Sequence, residues 1–346
     1  MEIKDYSFNP QTGELIIEEI EIKNKTLQNS KSYKKEKLPT ENEILQQKLV
    51  RVIFNVAVER INKDLLKGKQ SLKEVIFDDS TKIIGRNAFC GCEELTNINF
   101  PKSLVIIENE AFYKSGVQNL VFNNDLVSIG EKSFSETKLK NVVLPNSIEF
   151  LGDGAFEGCE ELEKITLPSK LTTISKSLLK DCKKLKEIVI PDGVTTIQDK
   201  AFCGCEKLEK VSLPDKLTFV GKKVFAGCKN LKCLSFPKHI VEIDEKAFFD
   251  CTKLEEAYIS TDSDELENLI KMLDKCNLRF LKIFFDVKPC DKILELSQNL
   301  FPDAKISFRF SSQEEKDYFY NGKSIAEYAK KIYEKRFKNK DKEKIN

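Results

Sequence analysis

The segment AFCGCEKLEKVSLPDKLTFVGKK, Ala201–Lys223, recurs in altered spelling along much of the chain. Copies include AFCGCEELTNINFPKSLVIIENE from Ala88, AFEGCEELEKITLPSKLTTISKS from Ala155, LLKDCKKLKEIVIPDGVTTIQDK from Leu178 and VFAGCKNLKCLSFPKHIVEIDEK from Val224. One slot holds Phe89, Phe112, Phe134, Phe156, Leu179, Phe202, Phe225 and Phe248, with successive gaps of 23, 22, 22, 23, 23, 23 and 23. A fixed period of this length with regular leucine spacing is the mark of a stacked solenoid.

Each unit reads physically. Leu162, Ile165 and Leu167 alternate inward along a short strand, and Pro168 ends it because proline donates no ladder bond. A second apolar pair follows, Leu171 and Ile174, then a turn, after which the phenylalanine re-enters the core. One unit cannot bury its apolar face alone, so units must stack into a continuous core. Stacked strands about 4.8 Å apart form one long parallel sheet.

The cysteines follow the same register. Cys92, Cys159, Cys182, Cys205, Cys228 and Cys251 each fall three residues after the phenylalanine slot. A small apolar thiol suits a tight interior turn, and rungs about 4.8 Å apart are too distant for relaxed disulfides. Cys90 and Cys203 occupy a variable slot that elsewhere holds Tyr113, Glu157 and Lys180, which points outward. They lie five units apart, about 24 Å at the strand spacing, so they cannot share a metal. The ladder is therefore read as structural thiols, with no metal and no cofactor.

The words x-x-I-G-x-x-A-F-x-G-C-x-x-L-x-x-I-x-L-P resemble the BspA-like, or Treponema pallidum type, leucine-rich repeats over roughly residues 70 to 260. The resemblance implies a curved right-handed solenoid whose strand face binds other proteins, and many family members are surface adhesins. The expected fold class is an α/β leucine-rich repeat solenoid of about eight 22–23-residue units built on a parallel sheet, with a helical N-terminal cap and a small α/β C-terminal cap.

Composition bounds the function. The 346 residues carry 57 basic and 56 acidic side chains, so no global field draws specific nucleic acid. Nowhere do eighteen apolar residues run together, so no membrane span is expected. Eleven cysteines and an N-terminus without a secretory pattern point to a reducing cytosol, with the implied adhesin role as the alternative. The single histidine, His239, sits in a slot that holds Lys170, Gly193 and Lys216 elsewhere, so no catalytic histidine set is expected.

The flanks divide the chain into 1–69, 70–260 and 261–346. Residues 1 to 22 alternate apolar and charged around Asn9-Pro10-Gln11-Thr12-Gly13, a hairpin; Lys23–Thr40 reads as a linker. Apolar positions Ile44, Leu45, Leu49, Val52, Ile53, Val56 and Ile61 predict a capping helix over Glu41–Leu66. After Ser260, helices are expected at 262–276, 291–300 and 325–337, and strands at 279–287 and 304–310. They form a cap or, as an alternative, an enzymatic or ligand-binding domain carried on the repeat scaffold. The basic tail from Lys330 offers contact with anionic surfaces.

An outward strand column runs Ile76, Asn99, Val121, Val143, Thr166, Val189, Ser212, Ser235 and Tyr258, beside Asn97, Asn119, Asn141, Lys164, Glu187, Lys210, Cys233 and Glu256. A protein partner is expected there, on Val121, Asn141, Val143, Lys164, Thr166, Glu187, Val189 and Lys210, because an apolar strip flanked by polar groups favours association.

Overall fold

The computed structural model describes residues 2–22, 25–28, 48–237, 240–260, 280–285, 299 and 305–310. Between residues 48 and 260 the chain winds through nine coils, each named here by its phenylalanine-slot residue, from Leu66 to Phe248. Every coil has three sides. A front strand such as Lys164–Thr166 is followed by a two-residue back strand such as Thr173–Ile174, then by a loop that carries the slot residue inward. Parallel pairing keeps repeat register, as in Asn141↔Lys164 on the front and Thr196↔Phe219 on the back.

The strands are short because only their alternate residues are wanted inside. Front strands alternate exposed, buried, exposed, so Val142, Ile165, Ile188 and Val211 enter the core while their neighbours face out. Slot rings are fully buried and stack nearly parallel, Phe89 on Phe112 at 5.1 Å and Phe112 on Phe134 at 5.2 Å between centroids. Leu179 interrupts the column, and rings resume from Phe202 to Phe225 at 5.3 Å. The loop is tight enough to need left-handed backbone two residues after the slot. Gly204 supplies it without strain at φ 76°, whereas Lys114 and Asp181 adopt it at 55° and 58°.

The N-terminal end differs from expectation. No residue from 48 to 66 lies in a helix; Arg51–Phe54 and Arg60–Ile61 are strands of a first coil. Leu49, Val52, Ile61 and Leu66 stand 23 residues before Leu72, Val75, Ile84 and Phe89, and all eight are buried. Their spacing fits a helix and a coil equally. The neighbouring strand Glu74–Ile76 decides between them, since its free N–H and C=O groups pair with a strand and not with a helix. Residues 41–47 of the expected helix lie outside the described residues.

The cap itself is the hairpin. Glu2–Asn9 and Glu14–Ile22 pair antiparallel, and Glu14–Ile17 then pairs parallel with Arg51–Phe54. Tyr6, Leu15 and Ile17 bury themselves over the first coil. Arg51 ties three strands together through Glu14 at 2.9 Å and Glu74 at 2.7 Å. Lys25–Gln28, read from sequence as linker, is a further strand on the hairpin edge.

At the other end, Glu256–Ser260 pairs with Phe280–Phe285, which pairs with Lys305–Phe310, all parallel. Both strands expected beyond Ser260 are present, as a continuation of the front sheet. Of the three helices expected there, Asn299 is described and helical; the rest of them and the basic tail lie outside the described residues.

Candidate functional site

The front strands position the candidate surface. Because side chains alternate across a pleat, burying Val142 and Ile188 forces Val143 and Val189 outward. Val121 is 84% exposed, Val143 67% and Val189 70%. Asn141, Lys164, Thr166, Glu187 and Lys210 are exposed as well. Asn141 sits beside Lys164 and Val143 beside Thr166 in one ladder, Glu187 beside Lys210 and Val189 beside Ser212 in another. All eight residues selected from sequence thus share one face. Around Val121 and Val143 that face is free of charge, with Asn97, Asn99, Asn119 and Asn141, while the ion-paired Arg51 and Glu74 bound it on the N-terminal side. Beyond it Lys164, Glu187 and Lys210 alternate in sign.

The same alternation continues around the corner. Lys183 reaches Glu160 at 2.6 Å, Lys184 reaches Glu161 at 2.6 Å and Lys232 reaches Glu209 at 2.7 Å, each pair one period apart. The Glu161 and Glu209 carboxyls are held below their usual range by hydrogen bonds from Lys184 and Lys232. An open cleft of about 690 Å³ lies on this side, between Glu136–Lys138, Glu157–Glu161 and Lys180–Lys183. It forms where the Phe134 coil, one residue short in its loop, meets a full-length neighbour. Its charges satisfy one another, Lys180 pairing with Glu157 at 2.6 Å and Asp181 at 3.2 Å.

The thiol ladder holds backbone. Cys92, Cys159, Cys182, Cys205, Cys228 and Cys251 are fully buried. Each Sγ lies within hydrogen-bond distance of the carbonyl oxygen of the preceding coil's slot residue. Cys182 donates to Phe156 at 3.2 Å, Cys205 to Leu179 at 3.2 Å and Cys228 to Phe202 at 3.3 Å. Burial pushes the Cys159 thiol up to about 11 and Cys92 up to about 12, so both stay protonated at neutral pH. The shorter coils place Ser115 and Thr137 in the same buried slot. Cys90 and Cys203 are half-buried free thiols. Among the described residues no group of three or more His, Cys, Asp or Glu side chains could hold a metal ion, and no helix is long and apolar enough to cross a membrane. His239 lies outside the described residues.

Sequence reasoning missed a second outward surface on the back strands. Val105, Ile106 and Val127 are partly exposed there and Phe150 is 57% exposed. Its signal was present, since each precedes a buried Ile or Leu of the second apolar pair, at Ile107, Ile129 and Leu151.

A family model described as BspA type leucine-rich repeat region (6 copies) matches residues 59–186 and 172–305. No curated protein matches the chain. Among solved structures, a leucine-rich repeat protein from Bacteroides ovatus is 20% identical, with a TM-score of 0.54 over 90% of this chain and 76% of its own. It shares the fold. The T. pallidum leucine-rich repeat protein is 27% identical over 66% of this chain and 88% of its own, with a TM-score of 0.42. With the family model covering most of the chain, the chain belongs to the BspA-type leucine-rich repeat family.

Proposed function

We propose that the chain is a non-enzymatic scaffold that binds a protein partner on its front strand face, centred between Asn119 and Lys210. The observation that carries this reading is the exposure of Val121, Val143 and Val189 on a rigid pleat, beside polar neighbours on a protein in which a third of residues are charged. Apolar side chains held out in one conformation lose little entropy on binding, so burying them against a partner is favourable. The working compartment in this reading is the cytosol, which the nine free cysteines among the described residues suit.

The test is Val143→Lys. Its side chain points into solvent, so stability should change by less than about 0.5 kcal/mol. Affinity for a partner captured by the wild-type chain and identified by mass spectrometry should fall at least tenfold, or about 1.4 kcal/mol. A variant that folds normally and binds that partner at wild-type affinity refutes the strand face as the site.

A further inference from the structure

The coils are not joined alike, and the differences converge on the Leu179 coil. Its front strand, Lys164–Thr166, pairs with Asn141–Val143 of the preceding coil. Among the described residues it makes no ladder with Glu187–Val189 of the following coil. Its back strand, Thr173–Ile174, does the reverse. It pairs with Thr196–Ile197 of the following coil and makes no ladder with Phe150–Leu151 before it. On the back side, among the described residues, the Ser175 hydroxyl bridges, donating to the Leu151 carbonyl at 2.5 Å. The column of slot rings also lapses here, at Leu179 between Phe156 and Phe202.

The loop side alone runs unbroken. Phe156 N–H donates to the Leu178 carbonyl at 3.1 Å and Gly158 N–H to Lys180 at 2.7 Å. Leu179 N–H then donates to Ala201 at 2.8 Å and Asp181 N–H to Cys203 at 2.7 Å. Ion pairs Lys180–Glu157, Lys183–Glu160, Lys184–Glu161 and Lys186–Glu163 clasp the Phe156 and Leu179 coils on the same flank. Each joint of this coil keeps two of its three sides bonded, and the loop side is the one held at both, so the easiest motion turns about that side.

We propose that the solenoid articulates at the Leu179 coil, the two halves pivoting about the loop side while the front ladder opens on one edge of that coil and the back ladder on the other. The motion changes the curvature of the front face between Val143 and Val189. It follows from the bonding pattern alone and is independent of whether that face binds a partner.

Two measurements on the full chain test it together. Native-state amide exchange reads the ladder openings, because Thr172, Ser175 and Lys186 have no backbone acceptor among the described residues. Their counterparts one period on, Thr195, Gln198 and Glu209, donate to Thr172, Ile174 and Lys186 at 2.9, 2.9 and 2.8 Å. The first three amides should exchange at least tenfold faster than the second three. Dipolar distances between nitroxides read the pivot, in a chain whose Cys90, Cys203, Cys233, Cys276 and Cys290 are Ser. Labels at Val143→Cys and Ser235→Cys span four coils across the junction, about 19 Å at the sheet spacing. Labels at Ile76→Cys and Thr166→Cys span four coils whose front sides are bridged at every joint, by the isolated pairs Ile76–Asn99, Asn97–Asn119 and Asn119–Asn141 and by the Asn141–Val143 ladder with Lys164–Thr166. The crossing pair should give the broader distribution. Equal widths, or equal exchange within the three amide pairs, overturns the articulation.

Discussion

The coils from Phe89 to Phe156 and those from Phe202 to Phe248 follow the same path by different means. In the first group a second set of rings backs the slot column, Phe77 edge-on to Phe89 at 5.8 Å, Phe100 to Phe112 at 5.8 Å and Phe122 to Phe134 at 6.0 Å. Their back strands carry Val105, Ile106, Val127 and Phe150 outward. In the second group the slot behind the rings holds Ile190, Leu213 and Phe236, and the outward back positions are Thr195, Thr196, Thr218 and Phe219, with Val241 exposed beside the last back strand. Thiols of Cys205, Cys228 and Cys251 rise through its loops without a gap, and ion pairs Lys229–Glu206 and Lys232–Glu209 lace the flank. A solenoid asks only that each coil fill its inward slots and match its neighbours, because its stability is a sum of unit and interface terms. Both halves stack slot rings; the first adds a second set of rings behind three of them, and the second adds thiols in every consecutive loop.

The largest effect that sharpens this contrast comes from the rings. Phe134→Ala, in the doubly backed part of the column, should cost about 3–5 kcal/mol in chemical denaturation, the range for truncating a buried aromatic. A loss below about 1 kcal/mol would mean that the column does not carry the first half.

Alkaline pH should strike the second half first. A buried thiol whose folded pKa lies above its unfolded value stabilises the fold at low pH, and that stabilisation is lost as pH rises from the unfolded value towards the folded one. For Cys159 this window runs from 9.0 to about 11, and for Cys92 from 9.0 to about 12. Each such thiol costs about 1.4 kcal/mol per pH unit inside its window. Burial raises Cys182, Cys205 and Cys228 in three consecutive coils, whereas Cys92 and Cys159 of the first group are separated by the Ser115 and Thr137 coils, which concentrates that loss towards the C-terminal coils. Amide exchange at pH 10 should show the Phe202–Phe248 coils opening ahead of the Phe89–Phe134 coils; uniform opening would break the comparison.

The smallest effect concerns the charges. Glu160→Lys faces Lys183 with a like charge and should cost about 0.2–1 kcal/mol, as exposed pairs do. The double reversal Glu160→Lys with Lys183→Glu should recover most of it, and 1 M salt should erase the difference as the Debye length shrinks to about 3 Å. A cost that survives in high salt would assign the effect to packing.

The sequence by itself determined the period, and with it the parallel solenoid, the buried phenylalanine slot and the thiol ladder. Those features are repetitive, so each inward position is specified many times over, and a single substitution such as Leu179 does not obscure the register. It also placed Val121, Val143 and Val189 outside, because the pleat period leaves a strand residue only two faces. What only the tertiary structure decided lies where local pattern serves two outcomes. Leu49, Val52 and Ile61 satisfy helical spacing and coil spacing alike, and the free edge of Glu74–Ile76 selected the strand by offering backbone partners. The lapse of both ladders at the Leu179 coil was equally invisible, since pairing depends on how whole coils sit against one another. Thr172, Ser175 and Lys186 look like any other repeat residues, and their missing backbone bonds among the described residues are a property of the stack.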